Sequence, residues 1–476
     1  MPVHIPGHNN DMRTPHGEES AMSHGQFSIE EAGSGAIPRS RLAAAAVFIA
    51  MLFTVPPAAA QELSVWTNLT TAAQATVIQK QVTACAAKQT SVSVKFETVP
   101  FGAMYTRLIT ALRKNEMPNL MNTLEGAVAF VQAKNGLVSV TDLVQSLGKD
   151  DFLPSYLAAV SKGGQVWGLP DWALHQEVWY RKDLFAAAGV KVPRSWDELL
   201  AAAKALNKPG PDGKPEVYGF AVPMGRSLVA PQTYFQILYS AGGTIFDPKT
   251  AEYVFGDQKE IAVKAMQYMI DLYKAASPPA SIEWSWAEYR TAFVKGQVAM
   301  TNEWGAVVQM AVEQNPAILD KMDVFPFPGP TADKKPVAAL NGGYYYLVGK
   351  SSPEKVAASK KVLACLYEPA LVAERANSRP IFAIPATKSA FNSDVYQSNA
   401  QVKQFKPLID KIFNEVMPSW YRYGMEAGLH PITGQIEATT FIGDAIQSAA
   451  LGKITAAAAV DQIDQQLRFQ AELLSR

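Results

Sequence analysis

The chain has 476 residues and carries 43 Lys or Arg against 43 Asp or Glu, with 48% hydrophobic residues. So balanced a charge offers no basic surface for a phosphate backbone, which excludes a nucleic-acid binder, and the length allows two domains with substantial cores. Only Cys85 and Cys365 are present, each inside a helical pattern; two buried free thiols are the plain reading, and one disulfide is the alternative for an exported protein.

Residues 1–38 are rich in Gly, His and Ser and show no periodicity. They hold His4, His8, His16 and His24, and read as an extension or an over-long start, not a metal site. Arg39 and Arg41 then precede the apolar run Leu42 to Val55, Pro56-Pro57 and Ala58-Ala59-Ala60. That is the tripartite pattern of a signal peptide cleaved near Ala60. The 14-residue run falls short of the roughly 20 residues needed to span a bilayer, which disfavours an uncleaved anchor. No Cys follows the small residues, so a lipid anchor is not expected.

After the cleavage site "LSVWTN" predicts a strand ending at Thr67-Asn68, followed by a helix to Lys88 and a second strand alternating at Val92, Val94 and Phe96. "AMYTRLITALRKNEMPNLMNTLEG" predicts a helix, a Pro-marked turn and a short strand. Strands alternating with helices indicate an open α/β sheet, whose ligands sit on the loops beyond the strand ends. Three such loops are Trp66–Asn68, Thr123–Glu125 and Trp172–Gln176. "GLPDWALHQEVWYRKDLF" crowds Trp172, Trp179, Tyr180 and His175 into one crossover. "EVWYRK" predicts a strand, "DLFAAAG" a short helix stopped at Gly189, and Ser195 with Glu198 a capping box before a helix ended by Pro209-Gly210.

No H-E-x-x-H, P-loop, strand-linked G-x-G-x-x-G or G-x-S-x-G is present. Tyr344-Tyr345-Tyr346 reads as a strand with rings alternating between core and surface; a ferric-iron site is the less favoured reading. The remaining chemistry is aromatic. Trp167, Trp179 and Trp196 read as packing. Trp172, Trp284, Trp286, Trp304, Trp420 and Tyr421 fall in predicted loops beside polar residues. Flat rings cover the C–H faces of a sugar, while amides and carboxylates bind its hydroxyl rim, so a neutral aromatic cleft points to carbohydrate.

Four segments, in order, carry a resemblance: "WGLPDWALHQEVWYRKDLFAAAGVKVPRSWDELLAAAKAL", "FVKGQVAMTNEWG", "LNGGYYYLVGKSSPEKVAASKKVLACLY" and "EVMPSWYRY". Together they resemble the extracellular solute-binding proteins of ABC importers, in the sugar-binding group that includes maltose-binding protein. The resemblance implies an α/β fold of the type II periplasmic-binding-protein kind, with two discontinuous lobes around a hinged cleft. It places lobe 1 at residues 61–176 plus 338–391 and lobe 2 at 177–337 plus 392–476, with hinge points near Gln176, Val337 and Phe391. Residues 1–60 stand outside both. It also implies a periplasmic, monomeric receptor without cofactor or catalysis that hands a carbohydrate to ABC permease transmembrane subunits. Matched residue by residue, the ligand positions fall on Asn68, Glu125, Trp172, His175, Gln232, Trp304, Asn341, Gly343, Tyr344, Trp420 and Tyr421. His175 departs from the carboxylate that maltose-binding protein has near there; Asp171 or Gln176 could take that role, and a hinge hydrogen bond is the other reading of His175. A secreted carbohydrate-active enzyme, and a receptor for glycerol phosphate, a polyamine or iron, are the alternatives. A phosphate ligand needs clustered Arg; the sequence leaves open whether Arg226, Arg379 and Arg422 converge.

Overall fold

The computed structural model describes residues 62–69, 71–90, 92–210, 215–334, 342–417 and 422–475. The signal-peptide reading, hinge position Val337 and ligand positions Asn341, Trp420 and Tyr421 lie outside them.

The chain opens with β1 (Glu62–Thr67), whose alternating pattern buries Leu63, Val65 and Thr67. Next, α1 (Ala72–Gln89) buries Ile78, Val82 and Cys85 on one stripe. β2 (Ser93–Thr98) pairs parallel to β1, Val65 opposite Phe96. α2 (Phe101–Lys114) ends on Asn115 at φ 55°, a left-handed position that Asn tolerates. β3 (Leu120–Leu124) then feeds directly into α3 (Glu125–Ala133), and β4 (Leu137–Val138) is a short return.

The crowded crossover splits between two strands, β5 (Leu169–Ala173) and β6 (Glu177–Arg181). β5 belongs to one sheet and β6 to another, so Leu174–Gln176 connect the two. At α4 (Trp196–Ala205), the Ser195 side chain accepts the Glu198 N–H at 3.2 Å, while the Glu198 carboxylate takes the Arg194 N–H at 2.8 Å. The predicted box is therefore half reciprocal. The helix also stops before Pro209, because Lys208–Pro209 pair with Pro215–Val217. α5 (Val229–Ser240) is buried along its whole length. α6 (Trp286–Val294) starts from a full capping box of Ser285 and Glu288.

β7 (Met300–Glu303) and β8 (Met322–Phe325) flank β6 antiparallel in a three-stranded sheet, order β7-β6-β8. The chain then returns to the first sheet through β9 (Gly343–Gly349), followed by α7 (Pro353–Leu366), α8 (Pro369–Asn377) and β10 (Ile384–Pro385). The first sheet runs β10-β5-β9-β3-β1-β2, with β4 pairing the end of β9. It is mixed: β1, β2 and β3 are parallel, and β9 runs against them. Tyr344, Tyr345 and Tyr346 lie in a strand as expected, but all three are buried, which corrects the expected alternation of core and surface: β9 is an interior strand of its sheet. A later helix, α9 (Ile432–Ala438), packs on α3.

Cys85 of α1 and Cys365 of α7 form a disulfide, with Cα atoms 5.7 Å apart. This corrects the free-thiol reading: both residues lie on the packed faces of neighbouring helices, which sequence periodicity shows singly but cannot pair. Among the described residues no helix is long and apolar enough to cross a membrane, and no group of three or more His, Cys, Asp or Glu could hold a metal ion.

Candidate functional site

A cavity of about 300 Å³ opens where several strand ends meet. Asn68 and Leu69 follow β1, Leu124 closes β3, Glu125 opens α3 and Leu174 follows β5. Because β9 is antiparallel to β3, its first residues reach the same edge, and Gly342 and Tyr344 join the wall. Trp304 follows β7 of the second sheet. Gln232 comes from the first turn of α5, Trp286 and Arg290 from α6, and Arg379 and Phe382 from the link between α8 and β10. The volume lies at the lower end of the range for small-molecule sites, roughly 300–1,000 Å³.

Several polar atoms of the wall find no partner among the described residues. These are the acceptors Asn68 Oδ1 and Gln232 Oε1 and the donor Gln74 Nε2. The other end of the Gln74 amide is fixed, since its Oε1 accepts the Thr71 hydroxyl at 2.7 Å. Buried amides left this way are costly unless a ligand or water completes them. The rings of Phe101, Trp286, Trp304, Tyr344 and Phe382 supply flat apolar surface around them.

Glu125 is fully buried and accepts the Gly343 N–H at 2.9 Å. Arg422 Nε lies 2.6 Å from Glu125 Oε1, an ion pair by distance although off the hydrogen-bond direction. The same guanidinium also pairs with Glu437 of α9, whose carboxylate accepts Tyr105 at 2.6 Å and Tyr423 at 3.1 Å. Burial, opposed by Arg422 and reinforced by Glu437, raises the Glu125 pKa. Across the cavity Arg290 pairs with the buried Glu303, which also accepts the Ala306 N–H at 3.0 Å. These carboxylates are committed to holding cations and backbone in place.

A model of the bacterial extracellular solute-binding proteins matches residues 67–373. The chain belongs to that family. The solute-binding protein is similar to maltose-bound MalE3 of T. maritima, with a TM-score of 0.71 and 21% identity over 86% of this chain and 100% of that one. It is also similar to an Agrobacterium radiobacter K84 ABC-transporter solute-binding protein in complex with ribitol, with a TM-score of 0.70 and 21% identity over 86% and 98% of the two chains. Among sequence relatives, YcjN of Escherichia coli (strain K12) is 24% identical over 345 residues, 71% of this chain and 76% of its own. The fold is the mixed α/β fold of the type II periplasmic binding proteins.

In this solute-binding protein the cavity brings together Asn68, Glu125, Gln232, Trp304 and Tyr344 of the positions inferred from sequence. It does not bring Trp172, His175 or Gly343 into its wall. Trp172 is 1% exposed within β5 and meets Tyr344 edge-on at 5.4 Å, so it supports a cavity ring from behind. Gly343 contributes its N–H to Glu125. Asp171, weighed as a stand-in for His175, is consumed by Arg375, whose Nε and Nη2 lie 3.0 and 2.7 Å from Asp171 Oδ1.

His175 is fully buried, with Nδ1 2.7 Å from Glu177 Oε2 and Nε2 2.6 Å from the Ile381 carbonyl oxygen. A carbonyl oxygen only accepts, so Nε2 carries a proton, and a second proton lies between Nδ1 and Glu177. Burial alone would lower the His175 pKa, but Glu177 and the Ile381 carbonyl outweigh it and raise it. Burial raises Glu177 from 4.5 to about 7 despite His175. Ile381 sits at φ 72°, a strained conformation for a β-branched residue, and Gly305 at φ 71° packs against both its carbonyl and the His175 ring. His175 therefore ties three chain segments together from outside the cavity wall.

Sequence reasoning missed Arg290, Gln74, Phe101 and Phe382 as wall residues. It left the Arg question open: Arg379 and Arg422 both reach the cavity, while Arg226 pairs with Asp444 at the exposed surface. Trp284 is partly buried against the core, and Trp286 alone of that pair reaches the wall.

Proposed function

We propose that the protein captures a sugar or sugar-derived polyol in this cavity and delivers it to the transmembrane subunits of an ABC importer. The observation that carries this reading is the combination of five aromatic rings with the unpartnered amide atoms of Asn68, Gln74 and Gln232. Rings pack against the C–H faces of a saccharide, and amides exchange hydrogen bonds with its hydroxyls. Similar proteins support it: one solved neighbour holds maltose and another ribitol, and a mannitol-binding protein of Pseudomonas aeruginosa is 28% identical over 172 residues. Asn341, Trp420 and Tyr421 belong to the proposed ligand set by the family resemblance.

In this reading the lobes are residues 61–176 plus 338–391 and residues 177–337 plus 392–476, hinged near Gln176, Val337 and Phe391. The division of the strands between two sheets supports it. The receptor acts as a monomer outside the cytoplasmic membrane, by binding and not by catalysis.

A thermal-shift screen against sugars, polyols and sugar acids tests the function. A ligand at 100 times its Kd adds about 2.7 kcal/mol to stability, which raises the midpoint visibly. Small-angle scattering on the best ligand should show compaction on binding. Failure of every saccharide and polyol to shift the midpoint, or release of new reducing ends from oligosaccharides by the purified protein, would overturn the proposal.

A further inference from the structure

Three arginines face the cavity, and their electrostatic situations differ. Arg422 is held by Glu125 and Glu437, and Arg290 by Glu303. Arg379 has neither a hydrogen bond nor an ion pair for its guanidinium among the described residues; its contact there is with the Phe382 ring, 4.0 Å from guanidinium carbon to ring centroid. It is partly buried, and burial together with the nearby Arg290 charge lowers its pKa, opposed by Glu303, Tyr344 and Glu313. The Phe382 ring under the guanidinium offers its N–H groups no acceptor. A partly buried cation beside a like charge, with no carboxylate in contact among the described residues, is an incomplete arrangement, and a carboxylate or phosphate oxygen pair would complete it in bidentate fashion.

We infer that the physiological solute is an anionic saccharide or polyol, carrying a carboxylate or phosphate that docks on Arg379 while its hydroxyls meet Asn68, Gln74 and Gln232. This rests on the saccharide reading above and narrows it. The two halves of the ligand follow from two halves of the wall. Amide atoms and rings suit a hydroxylated carbon chain, whereas a guanidinium without a carboxylate in contact suits one negative group. A neutral sugar would leave that cation desolvated and unpaired when the cavity closes.

Calorimetric titration tests the inference with matched pairs. D-glucuronate is compared with D-glucose and D-gluconate with sorbitol for the carboxylate arm. Glucose 6-phosphate is compared with glucose and glycerol 3-phosphate with glycerol for the phosphate arm. At least one acid should bind about tenfold or more tightly than its neutral parent, with the preference shrinking as salt rises. Arg379→Met should abolish that preference, and Arg379→Lys should keep part of it. The thermal midpoints of both variants, measured without ligand, verify that they fold. Equal affinity for acid and parent in every pair, or an acid preference that survives Arg379→Met, would overturn the inference. If neutral saccharides bind and no acid is preferred, the saccharide reading stands and this inference falls; if no compound in either arm binds, both fall.

Discussion

Gln232 offers the cleanest separation of binding from folding. It lines the cavity one turn into a fully buried helix, and its Oε1 is buried without a partner among the described residues. A hydrogen bond to a ligand hydroxyl contributes about 0.5–1.5 kcal/mol net, so Gln232→Ala should weaken saccharide binding by about two- to tenfold. The ligand-free thermal midpoint should change little, because the lost oxygen was making no bond; titration and a melt check the two halves. The His175–Glu177 pair makes a pH prediction. Glu177 is raised from 4.5 to about 7, so the folded protein holds this proton more tightly than the unfolded chain does. Its contribution is complete below about pH 4.5 and is lost as pH rises through about 7. Raised His175 acts in the same direction. Between pH 4.5 and 7.5 the wild type should therefore lose stability relative to Glu177→Gln. Parallel denaturation curves for the two proteins across that range would contradict the assignment.

Between elements, the approach of α9 to α3 depends on two glycines. A Cβ on Gly434 would come 2.8 Å from the Gly126 carbonyl oxygen, and one on Gly126 would meet the Tyr105 hydroxyl at 2.8 Å and the Glu437 carboxylate closer still. Gly126→Ala should thus cost about 1–3 kcal/mol by overpacking, and weaken ligand binding because Arg422 and Glu125 hang on the same cluster. Gly102→Ala in α2 is the control, since nothing lies within 4 Å of its added Cβ; it should be neutral or add up to about 1 kcal/mol. Denaturant melts of both variants check the contrast. The first strands and helices were legible in the sequence because each follows its own period, as at Leu63 and Val65 in β1, whereas α3 and α9 were not read from it. Nor were the long-range partners. The Cys85–Cys365 bond, the Asp171–Arg375 pair and the Glu125–Arg422–Glu437 cluster join residues far apart in the chain, and nothing local marks them. For the same reason Trp172 looked like a loop ring, although β5 carries it into the sheet beside Tyr344.

At the scale of the whole molecule, the site is a product of topology. Parallel β1 and β3 end at one edge, antiparallel β9 begins there, and β7 of the other sheet delivers Trp304 to the same space. The sequence located the edge, through Asn68, Glu125 and Tyr344, but not the cations, because Arg290 and Arg379 enter from a helix and a link that bear no strand-end signal. Hinged lobes would close this edge around a solute, with the His175–Ile381 contact at a crossing and the Arg422 cluster bridging the two sides. The central claim is that the solute occupies this cavity. A crystal structure of the protein with the tightest ligand from the titrations tests it most directly. The account predicts ligand density in contact with Asn68, Gln232, Tyr344 and Arg379, and a ring of Trp304 or Trp286 against its carbon face. Density for the ligand elsewhere, with these side chains untouched, would contradict it.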